Sequence, residues 1–446
     1  MRLLIAFLFS VALVPGAARS QVTVLRNVTV IDGTGATPRH KAALVVEGDK
    51  IRAITNADTP AEKSATMIDL SGKIIMPEII NCHGHLGLLK GTKMSSENYT
   101  KENVERQLLQ YQDYGVGAVL VMGTDRDEVY QWRSESREGK FPGALIFTAG
   151  RGFGAPAGVP PLSMGTDLVY RPTSAEEARK DVDELATHKP DMVKLWLDDF
   201  WGQYPKMKPE IYAAIIDEAH KNDLRVAAHV YHEEDAQRLV DDGVNVLAHS
   251  VRDAEIPDKL VAEMKAKHVA YIGTMSLDQF LTAYADDPAW LKQPFFRDAL
   301  EPGVYEMITS PQYKKSVEED KKLPAEVAAQ SIERKNLKKV YDAGILVALG
   351  TDSGATPTRA FGFSEHNELR LLVEAGLTPL QAITVATKNG AELLHASGEF
   401  GTLRPGLKAN FIVLDKDPSV DIRNSESISA VWKDGQKVSA GPRARE

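Results

Sequence analysis

Cysteine is nearly absent. Cys82 is the only one among 446 residues, so no internal disulfide can staple the chain, and its stability has to come from packing. Beyond the first twenty residues there is no apolar run near the roughly 20 residues that a membrane span needs, which predicts a soluble mature chain without a membrane anchor. Excess positive charge is also lacking. The formal charge is −9, with basic residues interspersed among acidic ones, and this argues against a nucleic-acid surface or a nucleic-acid deaminase. Gly152, Gly154 and Gly158 are irregularly spaced and no Lys-Ser/Thr pair follows, which excludes a phosphate-cradling nucleotide loop and leaves a pocket-lining one. A G-x-S-x-G elbow is missing as well, so Ser250 and Ser353 are poor candidates for a serine nucleophile.

What is present is a chain that is 43% hydrophobic, long enough for a large core and more than one domain. Residues 1–20 read as a secretory signal peptide: Arg2, then the apolar run Leu3 to Val14, then the small Ala18 and Ser20 before a cut preceding Gln21. Cleavage would leave a secreted or periplasmic chain of charge −11, because Arg2 and Arg19 depart. The triplets beginning at Asn27 and Asn98 match glycosylation acceptors, a pattern that arises often by chance.

Short β-rich segments occupy both flanks. VTVLRNVTVIDG and AALVVEGDKIRAI, with a turn at Glu47-Gly48-Asp49, open the mature chain; NFIVLD and SISAVWKDGQKV, with a turn at Asp434-Gly435, close it. Neither flank alone can bury a core, so residues 21–75 and 399–446 are expected to form one small β-sandwich domain. Between them, residues 76–398 alternate strands and helices. Strands are predicted near 74–82, 116–122, 144–149, 191–197, 224–230, 244–249, 268–274 and 345–351, which describes an α/β fold, a distorted (β/α)8 TIM barrel. A helix is predicted from Pro209, with Ile211, Ala214, Ile215 and Ala219 on one side and His220 at its outer end. Residues 276–322, rich in Trp, Phe, Tyr and Pro, break the cadence and would hang over the barrel mouth, covering substrate or contacting another subunit.

Candidate ligands sit at strand ends. His83 and His85, two apart, point the same way and can grip one ion, whereas alternation turns Cys82 away as buried filler. Lys194 lies inside the apolar strand DMVKLW, where a charged amine is costly to desolvate. It is either a half-buried surface lysine or a neutral amine condensed with carbon dioxide into a carbamate that can bridge two cations. His229 closes LRVAAH, His249 closes VNVLAH, and Asp352 follows ILVALGT, as helix cap or as ligand and base. His188, His220, His268 and His366 are placed at helix ends, the far barrel face or a helix start, away from the chemistry.

The motifs DLSGKIIMPEIINCHGH, VKLW, AAH, LAH, GTDSG, TPLQAITVATKNGAELL and GTLRPGLKANFIVLD together resemble the metal-dependent amidohydrolase superfamily. The resemblance is to its imidazolonepropionase-like, Xaa-Pro dipeptidase-like group and covers nearly all of the mature chain. It implies two divalent cations, zinc first among them. His83, His85 and Asp352 would hold one and His229 and His249 the other, with N-carboxylated Lys194 shared; it also implies a homo-oligomer. Two positions depart from the family pattern: Glu78 stands where glycine is usual, and Asn81 where an acid is usual. Two cations would lower the pKa of a bridging water, and Asp352 would take its proton and pass it to the leaving nitrogen.

The expected reaction is hydrolysis of the amide bond of small peptides or N-acyl amino acids by a metal-bridging hydroxide, in the manner of a dipeptidase or carboxypeptidase. Alternatives are a hydrolase of a lactone, cyclic amide or phosphoester with the same binuclear centre, a single-ion deaminase, or a non-catalytic binding protein. Candidates for substrate contact are Tyr231 and His232, the latter also as a catalytic donor, together with the cations Arg151 and Arg359.

Overall fold

The computed structural model describes residues 21–442; the expected signal peptide lies outside the described residues. Strands β1 (Val22–Val30), β2 (Arg39–Glu47), β3 (Lys50–Asn56), β4 (Thr66–Asp69) and β5 (Ile74–Pro77) come first. They are followed by β6 (Ile79–Gly84) and a small hairpin of β7 (Leu89–Lys90) and β8 (Lys93–Met94). Next come β9 (Val116–Val121), β10 (Leu145–Thr148), β11 (Val193–Trp196), β12 (Val226–His229), β13 (Val246–Ala248), β14 (Ala270–Ile272) and β15 (Val347–Ala348). The chain closes with β16 (Phe411–Leu414), β17 (Ile428–Lys433) and β18 (Gln436–Ser439).

Both flanks enter one sheet. Its order is β18-β17-β16-β5-β1-β2-β3, with β4 on β1. The two-residue turn at Gly48-Asp49 joins β2 to β3 in antiparallel register. The turn Asp434-Gly435 has positive φ at both residues, 48° and 74°, the conformation that matches strand twist in a tight hairpin. The expected two-sheet sandwich is therefore seen as a single eight-stranded sheet, because β5 pairs with β1 on one edge and with β16 on the other and carries the two flanks into the same ladder. Its inner face buries Leu25, Val28, Leu44, Val46, Ile75 and Val413, and the rings of Phe411 and Trp432 stack there.

Eight parallel strands follow the expected order in two sheets, β10-β9-β6 and β11 through β15. They bury nearly every residue, as strands covered on both faces do. Their edges are joined by backbone hydrogen bonds. On one side Cys82 N donates to Leu349 O (2.8 Å) and Asp352 N to His83 O (2.7 Å); on the other Asp191 N donates to Thr148 O (2.8 Å) and Phe153 N to Lys194 O (2.8 Å). The strands are shorter than predicted. Backbone φ turns positive at His249 (118°), Thr274 (52°) and Asp352 (57°), so the ladder stops before His249 and before Asp352, and the chain swings their side chains inward.

The predicted helix runs Pro209–Lys221 and buries Ile211, Ala214, Ile215 and Ala219. His220 bonds the Asn245 side chain, and His188 caps its helix and stacks on Tyr130. His366 is buried within the helix Phe363–Glu374 and bonds Ser425 Oγ and the Tyr114 carbonyl, a tie between elements instead of the expected cap. Residues 276–322 are largely helical, with segments Met275–Thr282, Pro294–Arg297, Val304–Ile308 and Pro311–Glu318 before the long helix Leu323–Asp342. Phe280, Tyr284, Phe296 and Ile308 form a core there with Tyr114 and Phe363. Cys82 is a free, buried thiol packed among core residues.

Candidate metal centre and active-site cavity

The C-terminal ends of the parallel strands deliver the predicted ligands to one place. His83 lies on β6 and His85 directly after it, and both Nε2 atoms approach Oδ1 of Asp352, at 3.2 and 2.8 Å. The ligand atoms of these three residues lie within 4.8 Å of one another. The ring of His249 lies 4.4 Å from that of His83 and 4.2 Å from that of His229, centroid to centroid. Lys194, on β11, is fully buried, with its Nζ 5.4 Å from the Trp196 ring centroid. Gly123 makes room for it: at φ 87° a Cβ there would sit 2.8 Å from Lys194 Cγ.

Second partners hold the rings. Thr124 Oγ1 bonds His85 Nδ1 and Thr274 Oγ1 bonds His249 Nδ1, each at 2.8 Å, while Asp198 Oδ2 bonds His229 Nε2 at 2.8 Å. Such contacts fix ring orientation. Two buried atoms have no partner: Nδ1 of His83 and Nζ of Lys194 make no hydrogen bond, while His83 Nε2 has only its 3.2 Å approach to Asp352. Buried polar atoms are seldom left unpaired, and imidazole, carboxylate and a deprotonated lysine derivative are the donors that divalent cations take. The residues fit a metal centre.

Electrostatics agree. Burial, and then the charge of Lys194, hold His83 well below the usual imidazole range. Burial likewise lowers His249, with His229, His83 and Lys194 adding to it, and burial outweighs Asp198 at His229. These rings are neutral, the state that binds metal. Burial would raise Asp352, but Arg359 and His85 outweigh it and hold the carboxyl well below the carboxylate range. Asp198 behaves alike: burial is overcome by the hydrogen bond and charge of His229 and by Arg252. Desolvation brings Lys194 down to about 7, against the pull of Asp352, so a neutral amine is accessible near neutral pH.

A cavity of about 270 Å³ opens over this cluster, its wall including His85, His229, Asp352, Asp198, Trp196, Tyr231, Arg252 and Arg359. Residues of the 276–322 segment and the next helix, Leu277, Asp278, Leu281, Lys322 and Glu326, complete it. Tyr231 lines the cavity, with the Arg252 guanidinium over its ring. Arg359 reaches it too, but its NH1 is engaged by Oδ2 of Asp352. The structure does not bring His232 and Arg151 into the wall. His232 turns Nδ1 to Asp253 (3.0 Å) at the start of its helix, and Arg151 turns back to Asp127 (2.5 Å). Asp198, Thr124, Thr274 and Arg252 were not anticipated. Their one signal is position, each within a few residues of the end of a parallel strand.

The two unusual positions are accounted for. Asn81 Nδ2 donates to Glu365 at 2.7 Å and to Thr351 and Ser353, and its Oδ1 accepts from His83 N, so the acid of this buried network comes from Glu365. Glu78 lies at the far end of the strands beside Gly117, its Oε1 without a partner.

Parallel strands that bring four histidines, an aspartate and a buried lysine together under a cavity define an α/β enzyme built around metal-ligating groups. The chain belongs to the amidohydrolase family, whose model matches residues 74–438, and is a hydrolase acting on carbon–nitrogen bonds. It is 24% identical over 473 residues to ochratoxinase of Aspergillus niger, covering 95% of this chain and 88% of that protein. An imidazolonepropionase of Brevibacillus brevis is 22% identical over 79% of this chain and 77% of its own. Among solved structures, a putative prolidase from Bifidobacterium longum superposes with a TM-score of 0.75 at 24% identity, covering 96% of this chain and 97% of that one; that likeness concerns the fold.

Proposed function

We propose that this chain is an exported amidohydrolase that cleaves the amide bond of small peptides or N-acyl amino acids. Its eight parallel strands, joined edge to edge, are read as a distorted (β/α)8 barrel. The observation that carries the reading is the pair of buried atoms without partners, Nδ1 of His83 and Nζ of Lys194, beside His85, His229, His249 and Asp352. His83, His85 and Asp352 would hold one divalent cation, zinc being suited to such donors, and His229 and His249 a second. Lys194 would serve both, after its neutral Nζ adds to carbon dioxide and loses a proton to give a carbamate. Bound cations supply a water activated at neutral pH and an electrophile for the substrate carbonyl.

The remaining work falls to the chain. Thr124, Thr274 and Asp198 keep three imidazoles from rotating away. Asp352, ionised under the influence of Arg359 and the histidines, is the base placed to accept a proton at its carboxylate and return it to the leaving nitrogen. Leu277, Leu281 and Trp196 give the cavity wall apolar surface.

Mass spectrometry of the Lys194 peptide under carbamate-preserving conditions, with metal counting, tests the centre. Lys194→Ala is expected to lose at least one ion per chain and most activity on a panel of dipeptides and N-acyl amino acids. An unchanged metal count and rate would overturn the assignment.

A further inference from the structure

We infer that the cavity selects its substrate through a bulky apolar group, aromatic or large aliphatic, seated between Trp201 on one wall and Leu281 on the other; this rests on the amide-hydrolase reading above. Both side chains line the cavity, yet Trp201 is 42% and Leu281 38% exposed. Large apolar side chains left open in a concave wall beside convergent polar groups mark the part of a pocket that a ligand covers.

The backbone is bent to present Trp201. Phe200 and Trp201 are consecutive left-handed residues, φ 46° and 65°, a conformation that bulky L side chains rarely take and that the surroundings must impose. Asp198 imposes it: its Oδ1 accepts from Asp199 N at 2.7 Å and Phe200 N at 3.1 Å, while its Oδ2 holds His229. Asp199 Oδ1 then accepts from Gly202 N at 3.0 Å. One carboxylate thus fixes both a candidate ligand and the aromatic wall. The indole rests edge-on against Tyr231, centroids 5.0 Å apart, and Tyr231 is backed by the Arg252 guanidinium at 4.6 Å. Leu277 and Leu281, which line the same cavity, stand one turn apart on the helix Met275–Thr282.

Charge does not compete with this apolar seat. Arg252 donates to Asp278 at 3.0 Å and to the carbonyls of Val230 and Ser250; Arg359 is engaged by Asp352 and Asp198 by His229. Lys322 and Glu326, four residues apart, form no ion pair among the described residues, and their opposite signs leave the wall without a strong bias. A cationic substrate side chain read by Glu326 is the competing outcome.

The test compares kcat/KM of the metal-loaded protein on N-acetyl-L-phenylalanine, N-acetyl-L-leucine and N-benzoylglycine with N-acetylglycine and N-acetyl-L-arginine. At least one of the first three is expected to exceed the glycine compound about tenfold or more, within the range that apolar pockets achieve. Trp201→Ala should reduce that ratio about tenfold, Trp201→Phe should restore most of it, and Leu281→Ala should reduce it from the other wall. Preference for the glycine or arginine compound, or a ratio unmoved in Trp201→Ala and Leu281→Ala, would overturn the inference. Calorimetric binding of phenylalanine hydroxamate against glycine hydroxamate reads the same seat without turnover. A phenylalanine preference lost in Trp201→Ala, with no amide hydrolysed, would refute the reaction and keep the seat; equal binding would refute the seat.

Discussion

Glu78 shows how a single buried side chain sets a pH dependence. Burial pushes its carboxyl up to about 8 from 4.5, with Lys433 pulling the other way. Between those values the folded chain holds a proton that the unfolded chain has released, so stability falls as pH rises through this window and levels off above about 8, by at most about 1.4 kcal/mol per pH unit. Glu78→Gln should therefore match the parent near pH 4.5 in pH dependence and gain on it up to pH 8, read by urea unfolding at pH 5, 7 and 9. Parallel curves would show that the carboxyl is hydrated instead. At this scale much of the site was legible from the sequence. His83, His85, His229, His249 and Asp352 stand at the ends of apolar runs, and Lys194 breaks one, so each announces itself against its background. Asp198 did not, since an Asp-Asp pair after a strand reads as a solvated turn, and only the three-dimensional approach of His229 gives it a task. His232 and Arg151 stand outside the cavity wall for the converse reason: nearness in sequence to a strand end does not fix where a long side chain turns, and they pair with Asp253 and Asp127.

At the scale of elements, the alternation of strands and helices was readable because each strand is an apolar run bounded by turn residues. The strand ends were not. His249, Thr274 and Asp352 leave the ladder by positive φ, and nothing in side-chain pattern reports that. The segment after β14 was legible only as a departure; its helices cohere through aromatic packing, with Phe296 fully buried among Trp290, Leu291 and Phe363. Tyr114 OH donates to the Phe295 carbonyl and Gln110 to that of Ala299, tying the segment to the helix Lys101–Asp113 and its C-cap. Phe296→Ala removes the centre of this cluster and should cost about 3–5 kcal/mol if the void does not collapse. Because Leu277, Leu281 and Glu326 border the cavity, the expected result is faster amide exchange across residues 276–322 and a raised KM, with exchange in β11 to β13 unchanged. Faster exchange throughout would mean that the segment is part of the main core, not a cover over it.

For the whole molecule, the candidate centre lies where two sheets meet. His83 belongs to the three-stranded sheet and His85 follows it directly, while Lys194, His229, His249 and Asp352 belong to the five-stranded one or the turns just beyond it. Backbone hydrogen bonds join those edges, including Asp352 N to His83 O, and Asp352 meets His83 and His85, but Nδ1 of His83 and Nζ of Lys194 find no partner there. Cations bound there would attach one sheet to the other and satisfy groups that folding leaves without partners. A ligand that binds only the folded state stabilises it by about 4 kcal/mol at a thousand times its Kd. Removing metal by dialysis against a chelator should thus lower the Tm by several degrees and abolish hydrolysis, and zinc should restore both. The eight-stranded sheet built by the two flanks is a built-in control, because its core of Leu25, Leu44, Phe411 and Trp432 holds none of these ligands. Hydrogen exchange on the metal-free protein should accelerate in β6, β11 and β12 while β1, β2 and β16 keep their protection. Equal acceleration in both regions would mean that the chain unfolds as one unit and that the cations do not act at the junction of the two parallel sheets.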